Sequence, residues 1–232
     1  MSSVVTLLIY PAKNVNIEDM TNPSRPYHHG NLREVVLDTA LDLVQKSGFA
    51  DISIRAVARK IGVDARAVYR HFESKEDVFA ALARRGFELL TTQMLNSLAH
   101  AGNIDGYSDS ESKLIRIGEE YIVFAVLNPN LFQLMFQQAG AGELAPPQSE
   151  MTPNSYDLLA NAWKEVTAEK GIEDAHSEMS IFSLWATVHG AAGLINHGLI
   201  ISENRNQSEL RYLAQQACKR ALAGATQAAN LR

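Results

Sequence analysis

At 232 residues, with 46% hydrophobic side chains, the chain can bury one large core or two modest ones, which excludes a disordered protein. Its single cysteine, Cys218, excludes an internal disulfide framework and a cysteine-based zinc site, and fits a reducing cytoplasm. The net charge of −5 argues against nucleic acid as a partner only if charge is spread evenly, and it is not: Ser53 to Lys75 holds six cations against two anions, a net +4 that leaves −9 for the rest.

Residues 1–24 read as a disordered leader. The apolar run from Val4 to Ile9 is too short for a signal-peptide core and no basic residue precedes it, and no stretch reaches the ~20 apolar residues that span a bilayer. Met20, just ahead of the first patterned segment, is a candidate native start. From there the periodicity is helical throughout, with no convincing strand and no internal repeat, so the predicted fold class is all-α. The first helix covers 32–47, with Val36, Leu37, Ala40, Leu41 and Val44 as its apolar stripe and Gly48 as its stop. Ser53 caps a second helix on which Val57, Ala58 and Ile61 share one side, and Gly62 ends it in a sharp turn with Val63 as an apolar plug. Asp64 caps the next helix. There Val68 and Phe72 point inward, leaving Ala65, Arg66, Ala67, Tyr69, Arg70 and His71 on the other sides.

Ser74 to Asp77 places a hydroxyl at a cap with a carboxylate three residues on, and opens a long helix through Val78, Leu82 and Leu89. Gly102 to Ser112 reads as a loop, 111–127 as a helix, and Pro129 as the start of another over 130–138. Three prolines and two glycines make 139–153 the predicted mobile loop of the body. Helices follow over 154–169, 174–198 and 208–225.

A glycine-cornered helix pair with exposed cations is how a protein presents a helix to the DNA major groove. Arg66 and Arg70 lie four residues apart on one face, so they reach a base edge and a nearby phosphate. Arg66 is the expected base reader, because guanidinium matches the two acceptors of guanine and discriminates by about 1–3 kcal/mol. Asp64 either prefers a cytosine amino group or acts only as a cap, and Ser53 with the adjacent helix N-terminus faces phosphate. The adjacent His28 and His29 diverge and lack a third ligand, so no metal is expected there; with Arg25 they form an arm toward the DNA backbone or minor groove. His189 and His197, eight residues apart, are too distant to share a metal. Tyr121, Phe124, Phe132, Met135, Phe136, Trp163, Phe182 and Trp185 supply aromatic and thioether bulk. Core packing explains most of it, and His189 beside Trp185 is either a polar contact in a cavity or a hydrogen-bonded core histidine.

The run from Tyr27 to about Leu90 resembles the TetR family of bacterial transcriptional regulators. The matching residues are Gly48-Phe49, Ser53-Ile54-Arg55-Ala56-Val57-Ala58, Gly62-Val63, Tyr69-Arg70-His71-Phe72 and Ser74-Lys75. The lead-in Pro26 to Arg33, with Trp185, His189-Gly190 and His197-Gly198, resembles the subgroup carrying a WHG-type ligand domain. The resemblance implies a helix-turn-helix DNA-binding domain over 25–75 and a ligand-binding and dimerisation domain over 76–230. It adds Arg55 as a second base reader, assigns Tyr69, His71 and Lys75 to phosphates, and implies a pocket for an apolar or aromatic small molecule near Phe132, Met135, Phe136, Trp163, Trp185 and His189. The family often has a small residue where Arg66 stands and serine where Asp64 stands. The expected function is a repressor that binds a palindromic double-stranded DNA operator as a homodimer, through helices near 174–198 and 208–225, and is released by a small molecule. Ala186, Gly190, Ala191 and Gly193 would let those helices approach closely. The alternatives are an activator or inducer-free DNA binder of the same fold, and an all-α enzyme using Ser183 and His189. No strained nucleophile turn and no phosphate-binding glycine loop favours the enzyme. No cofactor is expected.

Overall fold

The computed structural model describes residues 32–50, 52–100, 102–140, 154–200 and 206–230. The expected leader at 1–24, the Met20 start, the arm of Arg25, His28 and His29, and most of the proline-rich loop, 141–153, lie outside the described residues. Residues 33–232 form one compact unit, and of the other, 1–32, only Leu32 is described.

Among the described residues there are nine helices and no strand. Three make a small head: α1 (Leu32–Ser47), α2 (Ile54–Ile61) and α3 (Ala65–Tyr69). None of the short ones is stable alone, since an isolated helix needs roughly 12–15 residues to persist in water. Tertiary burial holds them. Val68 and Phe72, 0% and 3% exposed, sit with Val36, Val44, Ile52 and Val57, and two such side chains contribute about 3–6 kcal/mol. The recognition helix is shorter than its apolar pair suggests. Regular α-helix ends at Tyr69, and Phe72 reaches the core from the following turn, where its N–H still bonds the Val68 carbonyl.

The body begins with α4 (Lys75–His100), a rod about 39 Å long at 1.5 Å per residue. Its start is the expected reciprocal cap, with the Asp77 N–H donating to Ser74 Oγ and the Ser74 N–H to Asp77. Then come α5 (Asp109–Leu127), α6 (Pro129–Gly140), α7 (Ser155–Lys170), α8 (Ser177–Asn196) and α9 (Gln207–Asn230). Helix α5 is buried on nearly every side, as expected of a helix apolar over most of its surface. It packs against α4, α7, α8 and α9 and forms the axis of the body.

Four of the boundaries that differ from the sequence reading have a local reason. Helix α5 opens at Asp109 rather than 111 because Ser108 and Glu111 close a capping box. Helix α6 runs through Ala139 and Gly140, so the expected loop begins later. Helix α8 begins at Ser177 rather than 174, because Asp174 accepts hydrogen bonds from the Trp163 indole and the His176 N–H, which fixes it in the preceding turn. Helix α9 continues past 225 to Asn230, with Ala229 against the core.

Polar contacts from two body helices help tie the head down. Arg85 of α4 pairs with Asp38 of α1 at 2.6 Å. At the start of α6, Asn130 donates to the Gln45 carbonyl at 3.2 Å and the Gln45 amide donates to Asn128 at 3.3 Å.

Candidate functional site

The corner between α2 and α3 is built from backbone chemistry. Gly62 has φ +74°, the Gly62 N–H donates to the Arg59 carbonyl and the Val63 N–H to the Ala58 carbonyl, a Schellman closure that needs the left-handed glycine. On either side, Ser53 Oγ accepts from the Ala56 N–H at 3.1 Å and Asp64 Oδ1 from the Arg66 N–H at 2.8 Å. Asp64 therefore carries a cap, and its second oxygen is left for another partner.

Around this corner Arg55, Arg66, Tyr69, Arg70 and His71 are exposed, as are Ser53 and Asp64, while Ala65 and Ala67 are half-buried. Among the described residues Arg55, Arg59, Arg66 and Arg70 have no carboxylate partner, so their charge faces outward. Lys60 differs: it sits 2.5 Å from Asp42 of α1, which removes one cation from the patch counted in the sequence. Lys75 is half-buried, donates to the Ala50 carbonyl at 3.1 Å and lies 4.9 Å from the Phe79 ring centre, so it braces the loop before α2 as well as adding charge.

The body holds a cavity of about 430 Å³ enclosed by α4 to α9. Of the residues the sequence suggested for a ligand, Phe136 and Trp185 line it. Phe132, Met135 and Trp163 are buried in the surrounding core instead, and the Trp163 indole is engaged by Asp174 at 2.8 Å. His189 stands beside the cavity in an aromatic cluster, its ring 4.7 Å from that of Phe136 and 6.1 Å from that of Trp185. Its Nδ1 shares a 2.8 Å hydrogen bond with the Tyr121 hydroxyl, which accepts another from the Trp185 indole at 3.1 Å. Burial pushes the His189 imidazole below its ordinary range and holds the proton on the Tyr121 phenol well above its own, so both stay neutral near pH 7.

Sequence reasoning missed Gly118 and Cys218 as wall residues, and named Tyr121 only within the body's aromatic supply, not as a ligand contact. Gly118 carried a signal: a glycine inside an apolar helix marks a close approach, and a Cβ there would lie 2.7 Å from Cys218 Sγ. Burial, with the nearby Glu119 carboxylate, pushes the Cys218 thiol up to about 12, so it presents a neutral S–H. No group of three or more His, Cys, Asp or Glu side chains able to hold a metal occurs among the described residues. No described helix is long and apolar enough to cross a membrane.

A glycine-cornered pair of capped helices bearing outward arginines, joined to a helical body with an apolar cavity, defines a DNA-binding regulator. Two family models match the chain: bacterial regulatory proteins of the tetR family over residues 36–82, and the tetracyclin repressor-like C-terminal domain over 114–213. The chain belongs to the TetR family of transcriptional regulators. It is 31% identical over 126 residues to the nucleoid occlusion factor SlmA of Marinobacter nauticus, which covers 53% of this chain and 58% of that protein. A solved Rhodococcus sp. protein of unknown function is 27% identical with a TM-score of 0.64, covering 84% of this chain and 97% of the other. FadR from Bacillus subtilis, solved in complex with stearoyl-CoA, shares the fold at 12% identity and a TM-score of 0.57, over 82% of this chain and 98% of its own. Among curated relatives matched, the aligned stretch spans 51% of the length of the regulator YobS of Bacillus subtilis and 68% of a Marinomonas SlmA.

Proposed function

We propose that the protein is a ligand-responsive repressor, which grips a palindromic operator as a homodimer and lets go when a small apolar molecule fills the body. The observation that carries this reading is the cavity of about 430 Å³, within the roughly 300–1,000 Å³ of small-molecule sites. Two of its walls lead to the head. Helix α4 contributes Phe87 and Met94 to the cavity and Lys75 to the head, and α6 contributes Phe136 at one end and Asn130 at the other. A ligand that binds two arrangements of those helices unequally shifts the head by the same free energy.

Pairing through α8 and α9 is supported by an apolar stripe on α8. Met179, Phe182 and Leu194 are exposed, with Ala186 and Gly190 between them, and nothing lies within 4 Å of a Cβ built on Gly190 or Gly193. A second copy seated there would bury that stripe and set two recognition helices one DNA turn apart, ~34–36 Å. In this reading the head spans 25–75 and the body 76–230, the latter of WHG type, and the protein works in the bacterial cytoplasm where its operator lies. Arg66 and Arg55 read bases, Arg70, Tyr69, His71, Lys75 and Ser53 hold phosphates, and Ala65 and Ala67 let α3 seat closely.

The test is genomic footprinting with the purified protein, followed by fluorescence anisotropy on the protected duplex with and without a metabolite panel. An inverted repeat bound by two chains, and release of about 5- to 150-fold by one metabolite, are expected. A monomer without affinity for any duplex refutes the reading. A DNA binder of the same fold that answers to no small molecule is the second reading. Operator affinity unchanged by every compound that enters the cavity would select it.

A further inference from the structure

We propose that the cavity takes an uncharged, largely apolar molecule carrying one hydrogen-bond acceptor, an ester or ketone carbonyl, held by the Tyr121 hydroxyl. This rests on the ligand-responsive reading above and supplies the chemistry of the ligand. Among the described residues no Asp, Glu, Lys or Arg side chain lines the cavity. An ionic group inside would stand without a counter-charge in apolar surroundings, which is costly. Charge beside the wall sharpens this for anions. On another face of α5, Glu119 and Glu120 share the single guanidinium of Arg211 at 2.9 and 2.8 Å, a surplus of negative charge close enough to act on Cys218 in the wall.

The polar handle is the chain of Trp185, Tyr121 and His189. An indole N–H only donates, so the Tyr121 oxygen accepts from it. The bond to His189 runs either way, according to which ring nitrogen carries the proton. With the proton on Nε2, the Tyr121 O–H is committed to Nδ1. With the proton on Nδ1, the imidazole donates to Tyr121 and the phenolic O–H is released for a third partner. That shift moves one proton between two nitrogens of a neutral ring and changes no charge. A carbonyl entering the cavity takes the released O–H, while Trp185 and His189 keep their partner. Ser155 and Tyr156 also line the cavity, but among walls otherwise made by Leu114, Ile117, Leu184 and Val188 the Tyr121 hydroxyl is the one already held in place by two partners.

Methyl decanoate, decanoate and decyltrimethylammonium share a chain and differ in charge, so titration calorimetry of the full chain with each separates the cases. The ester is expected to bind about a hundredfold more tightly than either ion. Tyr121→Phe should weaken the ester about tenfold and leave the ions as they were. Nitrogen NMR of His189 should show the ring proton on Nδ1 once the ester fills the site, a readout that stands even if Tyr121→Phe fails to fold. Decanoate or the ammonium binding as tightly as the ester overturns the proposal, as does a His189 ring proton on Nε2 in the filled site. Failure of all three probes also overturns it, while operator release by the metabolite panel reports separately on the ligand-responsive reading.

Discussion

Gly118→Ala sets two opposed effects against each other at the junction of α5, α8 and α9. A glycine inside a helix costs about 1 kcal/mol relative to alanine, so propensity alone makes the substitution stabilising by that amount. The new methyl, however, would stand 2.7 Å from Cys218 Sγ and 3.2 Å from Val188 Cγ1, where unstrained carbon contacts sit at roughly 3.5–4.0 Å. Both neighbours are short and buried, Cys218 3% and Val188 7% exposed, so only a side-chain turn toward the cavity they line or a shift of α8 and α9 would relieve the contacts. Overpacking of this kind costs about 1–3 kcal/mol. The net expectation is a loss of about 1 kcal/mol, read from urea midpoints with a common slope. Removing the sulfur should reverse the sign. In Gly118→Ala with Cys218→Ala the shorter contact disappears, the 3.2 Å one to Val188 stays and the propensity gain remains, so the double-mutant cycle should show a coupling of about 1 kcal/mol or more. A single Gly118→Ala variant that gains the full propensity value, with strictly additive behaviour in the double, would refute the close approach of α9 to α5.

Arg66→Ala should relax base preference at one operator position, a discrimination of about 1–3 kcal/mol, whereas Lys75→Ala should weaken every sequence and lower the salt slope by about one. Binding to an operator library across a salt series distinguishes them, and uniform loss for Arg66→Ala removes it from base reading. Because Lys75 also braces the Ala50 carbonyl, its variant should unfold at lower urea while Arg66→Ala should not. His189 gives a pH signature. Burial pushes its folded value below 6.5 while the unfolded chain keeps the ordinary one, so the unfolded state binds the proton more readily. Tyr121, Trp185, Phe132 and Phe136 face it, with no charged side chain in contact with its ring among the described residues. Its contribution to stability is therefore complete above about pH 6.5 and falls as pH drops below it. Urea unfolding at two pH values should show a smaller loss on acidification for His189→Gln than for the unaltered chain, and an equal loss would remove His189 from that role.

The head was legible because its determinants are local. Ser53, Gly62 and Asp64 act on backbone groups two to five residues away, and the α2 to α3 corner follows from them without knowledge of the body. The core pair of Val68 and Phe72 was equally visible, though the early end of regular helix at Tyr69 was not, because that depends on how the turn meets the head's core. In the body, composition supplied aromatic bulk but not its destination. Trp163 and Trp185 are the same residue type in similar helical settings, yet one indole is committed to Asp174 and the other faces the cavity. Only the return of distant chain decides which. The same holds for Glu119 and Glu120, which are buried beneath Arg211, contributed by α9 some ninety positions later.

The amide bridge from Gln45 to Asn128 and Asn130 bears on how such molecules are recombined. The head's bottom surface is shaped partly by the opening turn of a helix that belongs, in chain order, to the far side of the long rod. A chimera that cuts after residue 75 would graft foreign DNA specificity onto a socket still lined with this chain's asparagines. Transplanting the DNA-binding head together with its attachment to the body requires carrying residues 128–130 along with the graft, or matching Gln45 in the incoming one.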